Sequence, residues 1–487
     1  MHIHRLDPKI HPPIDPACLF EMGITGNLRV IDATVVTPSG NLPARSLPLT
    51  FFDVKWLRPP PVQRLFLYRL DHQHRHNTVQ QLISDLRHSL SKALTLFYPL
   101  AGHVRLGPGT NRYELFYQPG DGVAFTAAEY DVHVDDLATS SDDEPVQVAK
   151  LAPLVPPLPK GRAVLAVQAT VLLDGSGLAL GVTVHHSACD GASSTHFLHT
   201  WSAAGAGADM PSPPLIDRTL IADPKDLYGI YSKGMVPSDG AEIEFAGSSA
   251  NSYPGDQLLA TFTLPQELLR GIKDALAAEA ARHGRATVPL RCSSLLAAYS
   301  FIWSCYCRAK QRQSPTDDSD QTKTTYFLFS VDHRTRLEPP VPKRYLGNCL
   351  GPAIAAARHD ELAADASGGL FAAFTALADA LDEAVGEGAR ERWDGCVERV
   401  KEVVKAGVLS VAGSPRFDVY DVDFGFGRPA KVDVVSVAKT GAMSMAEARG
   451  GLGGVEVGIS LPPAGMKRFR QCFSDAMRVV GVQEGVY

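Results

Sequence analysis

The run His186-Ser187-Ala188-Cys189-Asp190 follows an alternating apolar stretch and is closed by Gly191. An imidazole titrates near neutral pH, so it can take a proton from an attacking hydroxyl, and such catalysis is worth roughly 10²–10⁴-fold. On this reading the turn through Asp190 holds the ring. The same spacing also describes a core histidine capping a strand, with Asp190 as a turn or N-cap residue. Spacing alone leaves both readings open. His185 points to the opposite face and is the weaker base. A second run, Asp423-Phe424-Gly425-Phe426-Gly427-Arg428-Pro429, alternates glycine with phenylalanine. Glycines so placed imply tight backbone conformations. The run reads as a cornerstone near a ligand channel, with Asp423 paired to an arginine, or as a strand-to-loop corner packed by its aromatics.

Other chemistries lose their usual signal. The sequence contains no HExxH, no GxSxG and no GxGxxG. Gly175-Ser176-Gly177 lies in a hairpin turn, the wrong context for a nucleophile elbow. The eight cysteines are scattered without a CxxC pair, so no metal site is expected. Cys305 and Cys307 sit in an apolar run and read as small core residues. The formal net charge is −6, without a long basic stretch, so no nucleic-acid partner is expected. No apolar run is long enough to span a membrane and the N-terminus lacks a signal-peptide core, which points to a cytoplasmic protein.

The positioning elements are legible in outline. The chain of 487 residues exceeds one ordinary domain. Leu82, Ile83, Leu86, Leu90, Ala93, Leu94 and Phe97 recur at helical spacing, which predicts a helix within Val79 to Ala101. Val164–Leu173, the turn Asp174–Gly177, and Leu178–His185 predict a hairpin whose second strand delivers His186. A helix follows from about Ser193. Residues 135–160 are acidic and then proline-rich, a surface connection. Residues 205–255, with Pro211-Ser212-Pro213-Pro214 and Gly247-Ser248-Ser249, read as a crossover between domains. Beyond it come a strand near Leu258–Thr263, a helix near Pro265–His283, a buried helix from Ser293 to Arg308, and a polar loop from Ser314 to Lys323. A strand at Thr325–Val331, helix over 370–407, and strands at Val432–Ala438 and Val455–Leu461 complete the reading.

Together these residues resemble the plant BAHD acyltransferase family, whose signatures are HxxxD in mid-chain and DFGWG near the end. Here they read His186-Ser187-Ala188-Cys189-Asp190 and Asp423-Phe424-Gly425-Phe426-Gly427, with Phe426 in place of the usual tryptophan. Leu49–Val54 and Phe97–Gly102 also resemble family segments. Val331–Arg336, Tyr345–Cys349 and Ala412–Phe417 resemble the anthocyanin and phenolic-glucoside malonyltransferase branch, although Leu346 stands where that branch often has phenylalanine.

The resemblance implies an α/β fold: two similar-sized, chloramphenicol-acetyltransferase-like domains with mixed sheets, an active-site tunnel at their interface, and a long crossover loop. The expected boundaries are 1–205 and 256–487 for the domains and 206–255 for the connector, with a segment near 428–447 packing back on the N-terminal domain. It implies acyl transfer from an acyl-CoA co-substrate to an acceptor hydroxyl, with His186 as general base and no acyl-enzyme. The first expectation is malonyl transfer to a sugar hydroxyl of an anthocyanin, flavonoid or other phenolic glycoside. A hydroxycinnamoyl donor such as coumaroyl-CoA and a non-catalytic binding protein are the alternatives. Asp190 is expected to hold the loop through an arginine, and Asp423 to pair with Arg334. Donor contacts are expected from Ser293, Ser294, Asp332, Arg334, Gly347 and Asn348, and Lys55 or Arg58 is the expected cation for a malonyl carboxylate. No metal or resident cofactor and no membrane is implied, and the family is usually monomeric.

Overall fold

Strands Leu165–Leu172 and Gly177–Val184 are buried at every position. Such strands need cover on both faces, so they belong in the middle of a sheet. Both lie inside a six-stranded sheet ordered Leu28–Val36, Val123–Tyr130, Leu165–Leu172, Gly177–Val184, Val62–Arg69 and Lys431–Val434. This is a computed structural model, and it describes residues 28–70, 79–139, 144–233, 235, 253–284, 292–311, 323–364, 366–451 and 453–481.

The period-two rule sorts each strand between two cores. Phe66 and Tyr68 join the large cluster under helices Val79–Leu96 and Gly191–Ala206, whereas Leu65 and Leu67 join a smaller one with Leu151 and Val435. In the strand that leads to His186, Leu178, Leu180, Val182 and Val184 all face the large cluster. Gly181 is required where it stands, because a Cβ there would lie 2.0 Å from the Leu154 carbonyl oxygen.

The second sheet has seven strands, ordered Leu350–Arg358, Thr324–Asp332, Val408–Gly413, Met443–Glu447, Val455–Leu461, Leu258–Leu264 and Val146–Gln147. Helices Gln266–Arg282, Ser294–Gln311, Ala366–Val385 and Pro463–Val479 pack against it around Trp303, Phe327, Phe374 and Phe469. Cys305 and Cys307 are buried there. The architecture is therefore mixed α/β with two sheet-rich halves. Each half lends the other an edge strand. Lys431–Val434 pairs antiparallel with Val62–Arg69, and Val146–Gln147 pairs with Leu258–Leu264. Met443–Glu447 stays in the second sheet.

Two expectations are corrected. The helix over 370–407 is broken into Ala366–Val385 and Cys396–Ala406, with Gly386, Gly388 and Gly395 between them. Glycine is a poor helix former, and Gly388 adopts φ 77°. The strand expected over Val432–Ala438 stops at Val434 and turns into the short helix Val437–Thr440. In the described part of the connector, Leu215 bridges Tyr345, and Arg218 is buried against the second half. Gly247-Ser248-Ser249, most of the Ser314–Lys323 loop, and Cys18 lie outside the described residues. Among the described residues no helix is long and apolar enough to cross a membrane.

The reciprocal edge strands predict that the halves unfold together. Tryptophan fluorescence and far-UV circular dichroism should report one coincident urea transition. Two separated transitions would mean the exchanged strands do not couple the halves.

Candidate active site

Thr50 begins the short helix Phe51–Val54, and its N–H and hydroxyl both donate to Asp53 Oδ2, at 2.9 and 2.7 Å. That carboxylate is wholly buried. Its other oxygen accepts the backbone N–H and the side-chain amide of Asn348, at 3.0 and 2.8 Å. Asp53 therefore ties the first half to the 345–349 segment of the second. Arg218, from the connector, lies 3.7 Å from Asp53 Oδ2 and donates to the Tyr345 hydroxyl and the Leu346 carbonyl at 2.8 Å each.

His186 stands on this seam. Its ring stacks on Trp56, with centroids 3.7 Å apart and planes 15° from parallel. The residue is half-buried, and its Nδ1 is buried without a hydrogen-bond partner. Nε2 is the ring nitrogen left accessible. Burial pushes the imidazole below its ordinary value of 6.5. Asp190, the residue's own backbone and Asn348 act the other way, and Lys55 adds to the lowering. Burial thus favours the neutral form, the one a base needs. His185, on the opposite face, is fully buried, has its Nδ1 2.7 Å from the Ser187 hydroxyl, and is pushed down to about 3 by burial and by His186. It cannot meet a substrate.

The loop after His186 is held by a buried ion pair. Arg334 Nη1 lies 2.7 Å from Asp190 Oδ2, and Nη2 donates to Oδ1 at 3.0 Å, a two-point grip. The side chains are 2% and 0% exposed, so neither charge has water to fall back on. Burial works against the Arg334 charge, yet Asp190 and Asp332 hold the guanidinium above its ordinary value. Asp190 also accepts the N–H groups of Ser193 and Cys349, at 3.0 and 3.2 Å. It is the N-cap of helix Gly191–Ala206 and the anchor of the loop at once.

A chain model of the transferase family matches residues 27–476. The chain belongs to the BAHD acyltransferase family. It is 33% identical to phenolic glucoside malonyltransferase 1 of Arabidopsis thaliana, over 89% of this chain and 94% of the relative. It is 29% identical to an Arabidopsis thaliana coumaroyl-CoA:anthocyanidin 3-O-glucoside-6''-O-coumaroyltransferase, over 89% and 93%. The fold resembles that of vinorine synthase with a TM-score of 0.65 at 20% identity, covering 91% of this chain and 96% of that one. This BAHD chain is an acyltransferase.

The structure brings His186, Asp190, Lys55, Arg334, Gly347 and Asn348 together. Arg334 pairs with Asp190, not with Asp423. Asp423 instead accepts the N–H groups of Gly425 and Gly427, at 2.8 and 2.9 Å, where φ of 98° and 103° require glycine. Phe424 and Phe426 pack edge-on against Tyr68, so this is a corner of the first half's core. Arg334, Gly347 and Asn348 are buried. Ser293 is exposed beside Ser294 at the start of helix Ser294–Gln311, and the Asp332 side chain is 51% exposed. Arg58 is exposed, whereas the half-buried Lys55 amine lies over the rings of Phe52 and Trp56. Sequence reasoning missed Trp56, Asp53 and Arg218. Only Asp53 carried a signal, as part of the Leu49–Val54 segment.

Removing one partner of the buried pair strands the other. Asp190→Ala should cost about 3–5 kcal/mol in urea unfolding. Asp190→Ala with Arg334→Met should cost less than the sum of the single changes. Additive costs would show that the two charges do not depend on each other.

Proposed function

We propose that the protein transfers a malonyl group from its coenzyme A thioester to a sugar hydroxyl of a phenolic glycoside, with His186 as general base. The observation that carries this reading is the His186 imidazole at the seam, stacked on Trp56 and anchored from both halves, with its Nδ1 enclosed and its Nε2 not. As the hydroxyl oxygen attacks the thioester carbonyl, Nε2 takes its proton. The C–S bond of the tetrahedral intermediate then breaks, the carbonyl re-forms, and the imidazolium returns the proton to the leaving thiolate. With both substrates bound together, no acyl-enzyme or resident cofactor is required, and proximity supplies much of the rate.

Malonyl is favoured by the relative at 33% identity, whose name carries both malonyl and phenolic glucoside. It is also favoured by Lys55. A malonyl donor brings a second carboxylate, and Lys55 is the cation close enough to His186 to weaken its hold on a proton. The coumaroyl-transferring relative at 29% identity supports a second reading, an aromatic donor on the same class of acceptor. A cavity of about 310 Å³ beside Trp393 has apolar walls at Pro352, Ile354 and Ala384 and charged ones at Glu383, Arg392 and Arg399, a mixed lining that could take a phenolic ring with polar substituents. The seven described cysteines are free, in keeping with a reducing, cytoplasmic setting.

His186→Ala should lower kcat by about 10²–10⁴-fold. Because the base is active when neutral and its affinity for protons is depressed, the acid limb of kcat/KM should lie below pH 6.5. Transfer at the wild-type rate in the variant would sink the general-base reading. Offered malonyl-CoA and coumaroyl-CoA with one anthocyanin glucoside, the enzyme should yield the malonylated product by mass spectrometry. Lys55→Met should raise the KM for malonyl-CoA about 10-fold or more, the loss of one charge-assisted bond. Exclusive use of coumaroyl-CoA would replace the malonyl reading.

A further inference from the structure

Trp56 and His186 make the tightest ring contact among the described residues. Their centroids are 3.7 Å apart and their planes 15° from parallel. The next closest pair, Phe51 and Phe52, stands at 4.2 Å and is tilted by 33°. At 3.7 Å two flat rings are in van der Waals contact, so they overlie face to face with little lateral offset. Neutral aromatic pairs avoid that arrangement, which sets one negative face against another. They settle edge-on or offset instead, with centroids about 4.5–7 Å apart.

The choice of an indole points the same way. Trp56 Nε1 is buried without a hydrogen-bond partner. An orphaned buried donor is destabilising, and a phenyl ring would avoid it. No hydrogen bond therefore orients the indole. Its place comes from the turn after helix Phe51–Val54, where the Trp56 N–H donates to the Asp53 carbonyl at 3.0 Å, and from the face it shares with His186. What indole offers over phenyl is a stronger negative face, the best among the aromatic side chains for holding a cation. Sandwich and indole alike suit a neutral imidazole poorly and an imidazolium well.

We propose that Trp56 is a positioning residue of the transfer reaction, whose indole face is matched to the imidazolium that His186 becomes when it removes the acceptor proton. The inference rests on the general-base reading of His186. A face that attracts the ring more strongly after proton transfer than before it lowers the barrier, whereas equal attraction would only tighten the ground state. Around the ring, Asp190 favours the imidazolium and Lys55 opposes it, while His185 behind it stays uncharged, pushed down to about 3. The Lys55 amine is the second cation over the indole, 5.9 Å from its centroid.

Fluorinated tryptophans placed at position 56 by nonsense suppression test this, because each fluorine weakens the negative face with little change in shape. Fluorine also makes the N–H more acidic, but that N–H has no partner for the change to act on. The His186 titration in the free enzyme is read by NMR on histidine-labelled protein and assigned by loss of the signal in His186→Gln. From tryptophan to its tetrafluoro form, its midpoint should fall stepwise by about 0.4–1.5 pH units in all. The kcat for malonyl transfer should fall in parallel by about 2–30-fold, with the thioester KM unchanged and the acid limb moving to lower pH. A midpoint constant across the series overturns the proposal, whatever the activity. So does a trend that vanishes in Lys55→Met, which would assign it to the other cation over the ring. A thioester KM that rises at constant kcat would make Trp56 a donor contact and overturn it as well. Malonyl transfer absent in the wild type, with the stepwise fall present, would instead remove the proposed reaction and leave the imidazolium contact standing.

Discussion

A guanidinium with 2% of its surface exposed is tolerable only against a carboxylate, and Asp190 is the buried one that Arg334 has, with the half-exposed Asp332 3.3 Å away. The pair is not valuable for raw stability, since desolvation takes back much of what attraction gives. Its value is geometric. Asp190 belongs to the loop that follows His186, whereas Arg334 and the 345–349 segment belong to the second half. Two hydrogen bonds between charged partners, plus the N–H groups of Ser193 and Cys349, leave that loop few alternatives. The base is therefore placed by the joint between the halves.

The same joint is closed from the other side. Asp53 fastens Asn348, Arg218 fastens Tyr345, and Asn348 reaches the His186 carbonyl. Trp56 follows the helix that carries Asp53 and supplies the flat surface on which the ring lies. Residues far apart in the chain thus converge on one imidazole while leaving one of its nitrogens accessible. The exchanged edge strands complement this arrangement at larger scale, because neither sheet is complete without a segment from the other half.

Local features of this arrangement were legible in the sequence, and distant partnerships were not. Alternation in Gly177–Val184 and the turn before it announced the strand that delivers His186. Helical periodicity marked Val79–Leu96, although the last turn tightens into the separate 3₁₀ segment Tyr98–Ala101 once Pro99 intervenes. The His186–Asp190 spacing was visible, but local spacing cannot choose between a helix cap and a loop anchor, and Asp190 is both. Arg334 was matched with Asp423 because chain order holds no information on which carboxylate a buried arginine meets. Asp423 satisfies backbone N–H groups within its own turn and needs no cation. Gly347 and Asn348 stand out in the sequence as a motif, but their partners, Arg334 for the one and Asp53 and the His186 carbonyl for the other, come from the fold. The short strand Val146–Gln147 was invisible within a proline-rich, acidic stretch because its pairing comes from Leu258–Leu264.

The most direct measurement is a crystal structure with coenzyme A and an unreacted phenolic glucoside bound together. The account predicts the acceptor hydroxyl within about 2.6–3.2 Å of His186 Nε2, on the side away from Asn348. A hydroxyl held instead by another base, with the His186 ring closed off from both ligands, would contradict it.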